Sequence, residues 1–82
     1  MPAYTYVYRL ISRSDPCQVY TGCTTDLESR LRDHNRGHVT HTAKFAPWRI
    51  EVAVAFRDRA KAIAFEKYLK TGSGREFARR HF

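Results

Sequence analysis

A tyrosine pair, an arginine, a histidine and a glutamate follow one another along this 82-residue chain in an order that chemistry can use. Tyr8 and Tyr20 stand in two short stretches, Tyr6-Val7-Tyr8 and Tyr20-Thr21-Gly22. Arg30 and His34 come next at i, i+4 spacing, and Glu66 follows much later. A packed core has no need of such a set. Cutting a phosphodiester does need groups that move protons and a cation facing the developing phosphate charge. Tyrosine, with an ordinary pKa of about 10, is a poor base unless a neighbouring cation lowers that value, and Arg30 is such a cation. Glu66 suits a divalent ion, because Mg2+ takes oxygen ligands and is typically held by one or two carboxylates plus substrate phosphate.

The elements that must position these groups are legible in the residue pattern. Residues 4–11 are aromatic and β-branched and read as a strand, with Tyr4, Tyr6, Tyr8 and Leu10 on one face. Ser12-Arg13-Ser14-Asp15-Pro16 is a polar turn, residues 18–21 return as the second strand of a hairpin, and Gly22 closes it. Thr25-Asp26-Leu27-Glu28 fits a capping box with Thr25 as the cap, opening a helix that Gly37 stops after Asn35 or Arg36. Leu27 and Leu31 mark its buried stripe; at about 100° per residue His34 falls inside that stripe and Arg30 on its border. Residues 38–46 read as a loop or short helix ahead of Pro47. Residues 48–57 are the clearest strand, with Trp48, Ile50, Val52, Val54 and Phe56 on one face. Asp58 caps a further helix whose apolar arc is Ala62, Phe65, Tyr68 and Leu69, with Glu66 at its edge. Gly72-Ser73-Gly74 breaks the chain before a final basic helical turn docked by Phe77 and Phe82. The order β-β-α-(α)-β-α, without repeat or linker, predicts a single α+β domain over residues 1–82, a small sheet with helices packed on it.

Each candidate also has a plainer account. Arg30 could snorkel at the edge of its stripe while His34 bonds a backbone carbonyl. Glu66 and Lys70, at i, i+4, could be a surface ion pair. Tyr8 and Tyr20 could be packing residues of their strands. Cys17, Cys23, His34 and His38 run Cys-x5-Cys-x10-His-x3-His, loosely like a zinc finger. The cysteine gap is too long for that motif, and the finger would break the hairpin.

Charge narrows the classes. Lys+Arg 15 against Asp+Glu 8 gives a net +7, the balance of a chain that meets nucleic acid or another polyanion. Arg32, Arg36, Lys44, Lys70 and Arg75 are the candidate phosphate contacts, with Arg49, Arg79 and Arg80 beside them. The two cysteines make no disulfide framework, which points to a reducing, cytoplasmic compartment. Met1-Pro2-Ala3-Tyr4 has neither the basic start nor the apolar run of a signal peptide. The longest apolar run, residues 52–56, is far too short to span a bilayer.

These residues together resemble the GIY-YIG nuclease family, and in particular its small stand-alone bacterial members. Tyr6-Val7-Tyr8 stands in the place of the first motif and Tyr20-Thr21-Gly22 in that of the second. The run Tyr20 to Leu27, then Arg30 and His34-Asn35, resembles the family's second strand and first helix; Glu66 in Phe65-Glu66-Lys67-Tyr68-Leu69-Lys70 matches its metal-binding glutamate. Gly72-Ser73-Gly74-Arg75 and Arg80-His81-Phe82 are similar to the tail of the compact members. Tyr6 replaces the first motif's glycine, and Cys23 stands where some branches carry lysine.

The resemblance implies a three-stranded antiparallel sheet flanked by helices and Mg2+-dependent hydrolysis of DNA, with Mn2+ able to substitute. By position, Tyr8 or its neighbours activate the attacking water, Tyr20 supports them, and His34 shuttles the proton. Arg30 stabilises the pentavalent phosphate and Glu66 holds the metal. Which of Tyr8, Tyr20 or His34 is the base stays open. The expected partner is DNA, with RNA not excluded, met by a monomer or weak homodimer that uses no small-molecule cofactor. So small a domain has little surface for reading bases, so structure rather than sequence is the expected selectivity. The alternative is a nucleic-acid-binding module of the same fold that does not cut, or a partner-binding domain whose charge is incidental.

Overall fold

Residues 5–12 carry apolar side chains on both of their alternating faces, as a strand does when it is covered above and below. In the computed structural model, which describes residues 3–82, they form β1 (Thr5–Ser12), the middle strand of the sheet. The remaining elements are β2 (Val19–Thr24), α1 (Leu27–Asn35), a 3-10 turn (Ala43–Phe45), β3 (Trp48–Phe56), α2 (Arg59–Leu69) and α3 (Gly72–His81). The sheet order is β2-β1-β3 and both pairings are antiparallel. This is the α+β arrangement that the resemblance implies. The reading of the first residues as no leader falls on Met1 and Pro2, outside the described residues.

The two faces of the sheet carry two small cores. On one side α1 and the 3-10 turn cover Tyr8, Leu10 and Trp48, with Tyr20, Leu27, Leu31, Phe45 and Ile50 packed around them. On the other, α2 and α3 cover Val7, Ala62, Leu69 and Ala78, with Cys23, Phe56, Phe65, Phe77 and Phe82. Residues 48–56 serve both cores, which corrects the expectation that their even-numbered side chains share one face. Arg9 pairs with Val52 but Leu10 pairs with Ile50, so Glu51 is an extra residue on β3. Such a two-for-one bulge flips the alternation. Trp48 and Ile50 thereby join Leu10 and Tyr8, while Phe56 joins Val7. The displaced Glu51 accepts a 2.9 Å hydrogen bond from Arg9.

Three further expectations change. Gly22 does not close the hairpin; it lies inside β2, opposite Tyr8. The cap of α1 is Asp26, not Thr25: its Oδ1 accepts from the Ser29 amide at 3.1 Å, and its own amide donates to Thr24 Oγ1 at 3.1 Å. A carboxylate at that position answers both the open amides and the positive end of the helix. Gly72-Ser73-Gly74 is not a break but the first turn of α3, capped by Thr71, whose hydroxyl accepts from the Gly74 amide at 3.0 Å. Gly74 lies so close to the Tyr68 carbonyl that no Cβ fits between the two helices. The rest follows the residue pattern: Arg36 and Gly37, at φ +76°, end α1, and Asp58 caps α2. Among the described residues no helix is long and apolar enough to cross a membrane.

Candidate functional site

The buried stripe of α1 delivers His34 into the sheet, where it is fully buried. Its Nε2 lies 3.0 Å from the Tyr8 hydroxyl and its Nδ1 lies 2.8 Å from Thr42 Oγ1. Thr42 in turn donates to the Val39 carbonyl at 3.3 Å, and the Trp48 indole N–H donates to the Thr42 carbonyl at 2.9 Å. The Thr42 hydroxyl has one proton and two neighbours; when that proton is given to the Val39 carbonyl, the hydroxyl accepts from His34 Nδ1–H and Nε2 is left as the acceptor for the Tyr8 O–H. The Tyr8 oxygen then keeps its lone pairs toward the Arg30 guanidinium beside it.

Tyr20 completes the cluster from β2. Its ring lies 4.7 Å from the His34 ring and 6.2 Å from that of Tyr8, centroid to centroid. Gly22 makes the close approach possible: a Cβ there would stand 2.5 Å from the Tyr8 hydroxyl oxygen and 2.9 Å from the Tyr20 ring. Asn35 holds α1 to β3, accepting from the Trp48 amide and donating to the Trp48 carbonyl at 3.2 Å.

Arg30, one turn before His34, is part-exposed; its only carboxylate partner among the described residues is Asp33, at 3.7 Å. The electrostatics are those of a buried acid–base pair under a cation. Burial pushes the Tyr8 hydroxyl up to about 12, while the Arg30 guanidinium, beside it but outside the geometry of an aligned hydrogen bond, pulls the other way. His34 is held below its ordinary value, chiefly by burial and then by Arg30. At neutral pH both groups are therefore uncharged, with the proton on tyrosine and a free lone pair on histidine.

Glu66 stands apart from this hydrogen-bonded set. It lies in a pocket of about 420 Å3 with Thr5, Cys23, Thr24, Thr25, Arg59 and Ile63, and its charge reaches Tyr8, opposing loss of the phenol proton. Burial, then Glu66, raises the Cys23 thiol. One Glu66 oxygen accepts from Lys70 at 2.7 Å. Among the described residues no three His, Cys, Asp or Glu side chains come together, which removes the zinc-finger alternative. A lone carboxylate fits a different kind of ion, a hydrated divalent cation that takes one carboxylate and completes its shell with water and phosphate.

The basic candidates do not form one patch. Arg32, Arg36 and Lys44 ride on the α1 side, Lys44 with its ammonium 5.2 Å above the Phe45 ring. Lys70 and Arg75 lie on the α2–α3 side and line a separate concavity with Arg9. Thr42 is the network member that sequence reasoning missed. It sits in the irregular stretch before Pro47, where no periodicity marks a buried position.

Comparison with known proteins gives the family. Residues 4–80 match the GIY-YIG catalytic domain family. The chain is 36% identical over 73 residues to the structure-specific endonuclease subunit SLX1 of Scheffersomyces stipitis, covering 80% of this chain but 22% of that protein. It is also 36% identical over 72 residues to a UPF0213 protein of Haloquadratum walsbyi, covering 87% of this chain and 79% of that protein. GIY-YIG nucleases are in general dependent on a divalent metal. The chain belongs to the GIY-YIG family and carries its catalytic domain.

Proposed function

We propose that this protein is an endonuclease that cuts DNA at structural irregularities rather than at a defined sequence, with Mg2+ as its ion and Mn2+ as a substitute. The observation that carries the reading is the buried chain from Tyr8 through His34 to Thr42. With a pKa near 12, Tyr8 does not wait as phenolate at neutral pH. It acts instead as a relay: its oxygen accepts the proton of the attacking water as its own proton passes to His34 Nε2. Thr42 keeps Nδ1–H engaged, so the imidazolium that forms is hydrogen-bonded at both nitrogens. Tyr20, packed on the His34 ring, holds that ring in place. Arg30 faces the pentavalent phosphate, where a guanidinium stabilises charge that appears only in the transition state. Glu66 holds the divalent ion. Such an ion, when bound, polarises the phosphate and eases departure of the leaving oxygen.

Structure selectivity is supported by where the cations sit. Arg32, Arg36 and Lys44 on one side and Lys70 and Arg75 on the other can hold backbone phosphates on diverging paths. Phosphate contacts position a substrate without reading its bases. The SLX1 relative is named a structure-specific endonuclease, which favours the same reading here. Nicking assays on linear, flapped, forked and four-way DNA, each with Mg2+, Mn2+ or EDTA, test it. Branched substrates are expected to be cut in either metal and spared in EDTA, with Glu66→Ala and Arg30→Ala slower by roughly 100-fold or more. Variants that cut as fast as the wild type would overturn the assignment of these residues.

A further inference from the structure

A second concavity lies on the α2–α3 side of the sheet; Tyr20 borders it, while Tyr8 and His34 do not. Its volume is about 540 Å3, within the size range of small-ligand pockets. Val19, Leu69 and Ala78 give it apolar walls; Arg9, Lys70 and Arg75 bring three cations to it, and among the described residues no carboxylate lines it. Arg9 uses one nitrogen on Glu51, at 2.9 Å, which leaves the rest of its donor fork free. Arg75 has no carboxylate partner among the described residues, and Lys70 has Glu66, at 2.7 Å. Lys70 therefore belongs to both places. Its half-exposed ammonium can bond Glu66 or an anion in the concavity. A surface pair of this kind is weak enough to be displaced by a phosphate that two further cations also hold.

We propose that this concavity is a phosphate subsite for a phosphodiester of the substrate strand remote from the scissile bond, and that filling it draws Lys70 off Glu66. The carboxylate is thereby released to the divalent ion, so that metal loading follows substrate binding. The role of Glu66 in this coupling rests on the nuclease reading above; the phosphate subsite does not.

The test uses the dithymidine diester dTpdT, which carries one phosphodiester and chelates metal poorly. In EDTA it should shift the backbone amide signals of Val19, Thr21 and Arg75 in nitrogen-edited NMR spectra. The exposed change Arg75→Gln should weaken its binding about tenfold. In a separate titration followed by electron paramagnetic resonance, saturating dTpdT should raise Mn2+ affinity about threefold or more. Lys70→Gln should bind Mn2+ that tightly without the probe and gain nothing from it. Thymidine 5′-monophosphate should bind no better than the diester. Amide shifts absent from this region would overturn the subsite, and tighter binding of the monoester would make it a free-nucleotide site instead. Mn2+ affinity indifferent to both dTpdT and Lys70→Gln would overturn the coupling. None of these readouts requires cleavage, so a failure of the nuclease reading shows separately, as DNA left intact.

Discussion

Replacing Thr42 by valine removes one oxygen from the buried relay while keeping the shape of the side chain. Thr42 is only 2% exposed and its hydroxyl is the sole partner of His34 Nδ1 among the described residues, at 2.8 Å. Valine leaves that N–H buried and unbonded, which costs about 1–3 kcal/mol. In a domain of this size each kcal/mol lowers the melting temperature by roughly 4–8 °C, so a fall of roughly 5–20 °C is expected. The function should suffer separately. A ring that escapes the penalty by moving its proton to Nε2 can no longer accept the Tyr8 proton, and cleavage should slow by roughly 100-fold or more. Thr42→Ser, which keeps the hydroxyl, should restore both. Urea unfolding reads the stability change, and long-range nitrogen–proton NMR of the imidazole reads the tautomer directly. A Thr42→Val protein within about 0.5 kcal/mol of the wild type that also cleaves at the wild-type rate, or a wild-type His34 protonated on Nε2, would refute the assigned direction of the relay.

Three further outcomes follow from the same geometry. His34 is held below its unfolded value of 6.5, so the unfolded chain binds its proton more readily. That contribution to stability is complete above pH 6.5 and declines as pH falls from there through the lowered folded value, which urea melts across pH 5–8 should record. Cleavage should fall on the same acid side as His34 loses its free lone pair, and the Tyr8 pKa near 12 places no alkaline limb in the neutral range; a pH–rate profile checks both. Gly22→Ala sets a methyl 2.5 Å from the Tyr8 oxygen, so the packed ring must move; a loss of about 1–3 kcal/mol in denaturant melts should accompany loss of cleavage.

The helix that carries Arg30 and His34 was legible because one strong period, Leu27 and Leu31 at i, i+4, fixes which way every neighbour points. The hairpin was legible for a similar reason, with a polar turn between two β-rich runs. β3 was harder. Its alternation is unbroken from Trp48 to Phe56, and both faces of the sheet accept apolar side chains, so nothing in the pattern marks the bulge at Glu51. Gly22 and Gly74 looked like punctuation because glycine most often serves turns. Here each sits where another group comes too close for a Cβ, a fact that belongs to tertiary packing. Thr42 lies in an irregular segment whose path is set by contacts with Trp48 and His34. The two-sided spread of the basic residues likewise depends on which helix covers which face.

The most direct test of the proposed chemistry is single-turnover cleavage of a branched DNA by Tyr8→Phe, compared with the wild type in Mg2+. Phenylalanine fills the same buried space, so the fold should persist by circular dichroism while the relay loses its central oxygen. The predicted result is a rate lower by roughly 100-fold or more with substrate binding retained. A Tyr8→Phe enzyme that cuts at the wild-type rate would contradict the Tyr8–His34 relay as the route by which water is activated.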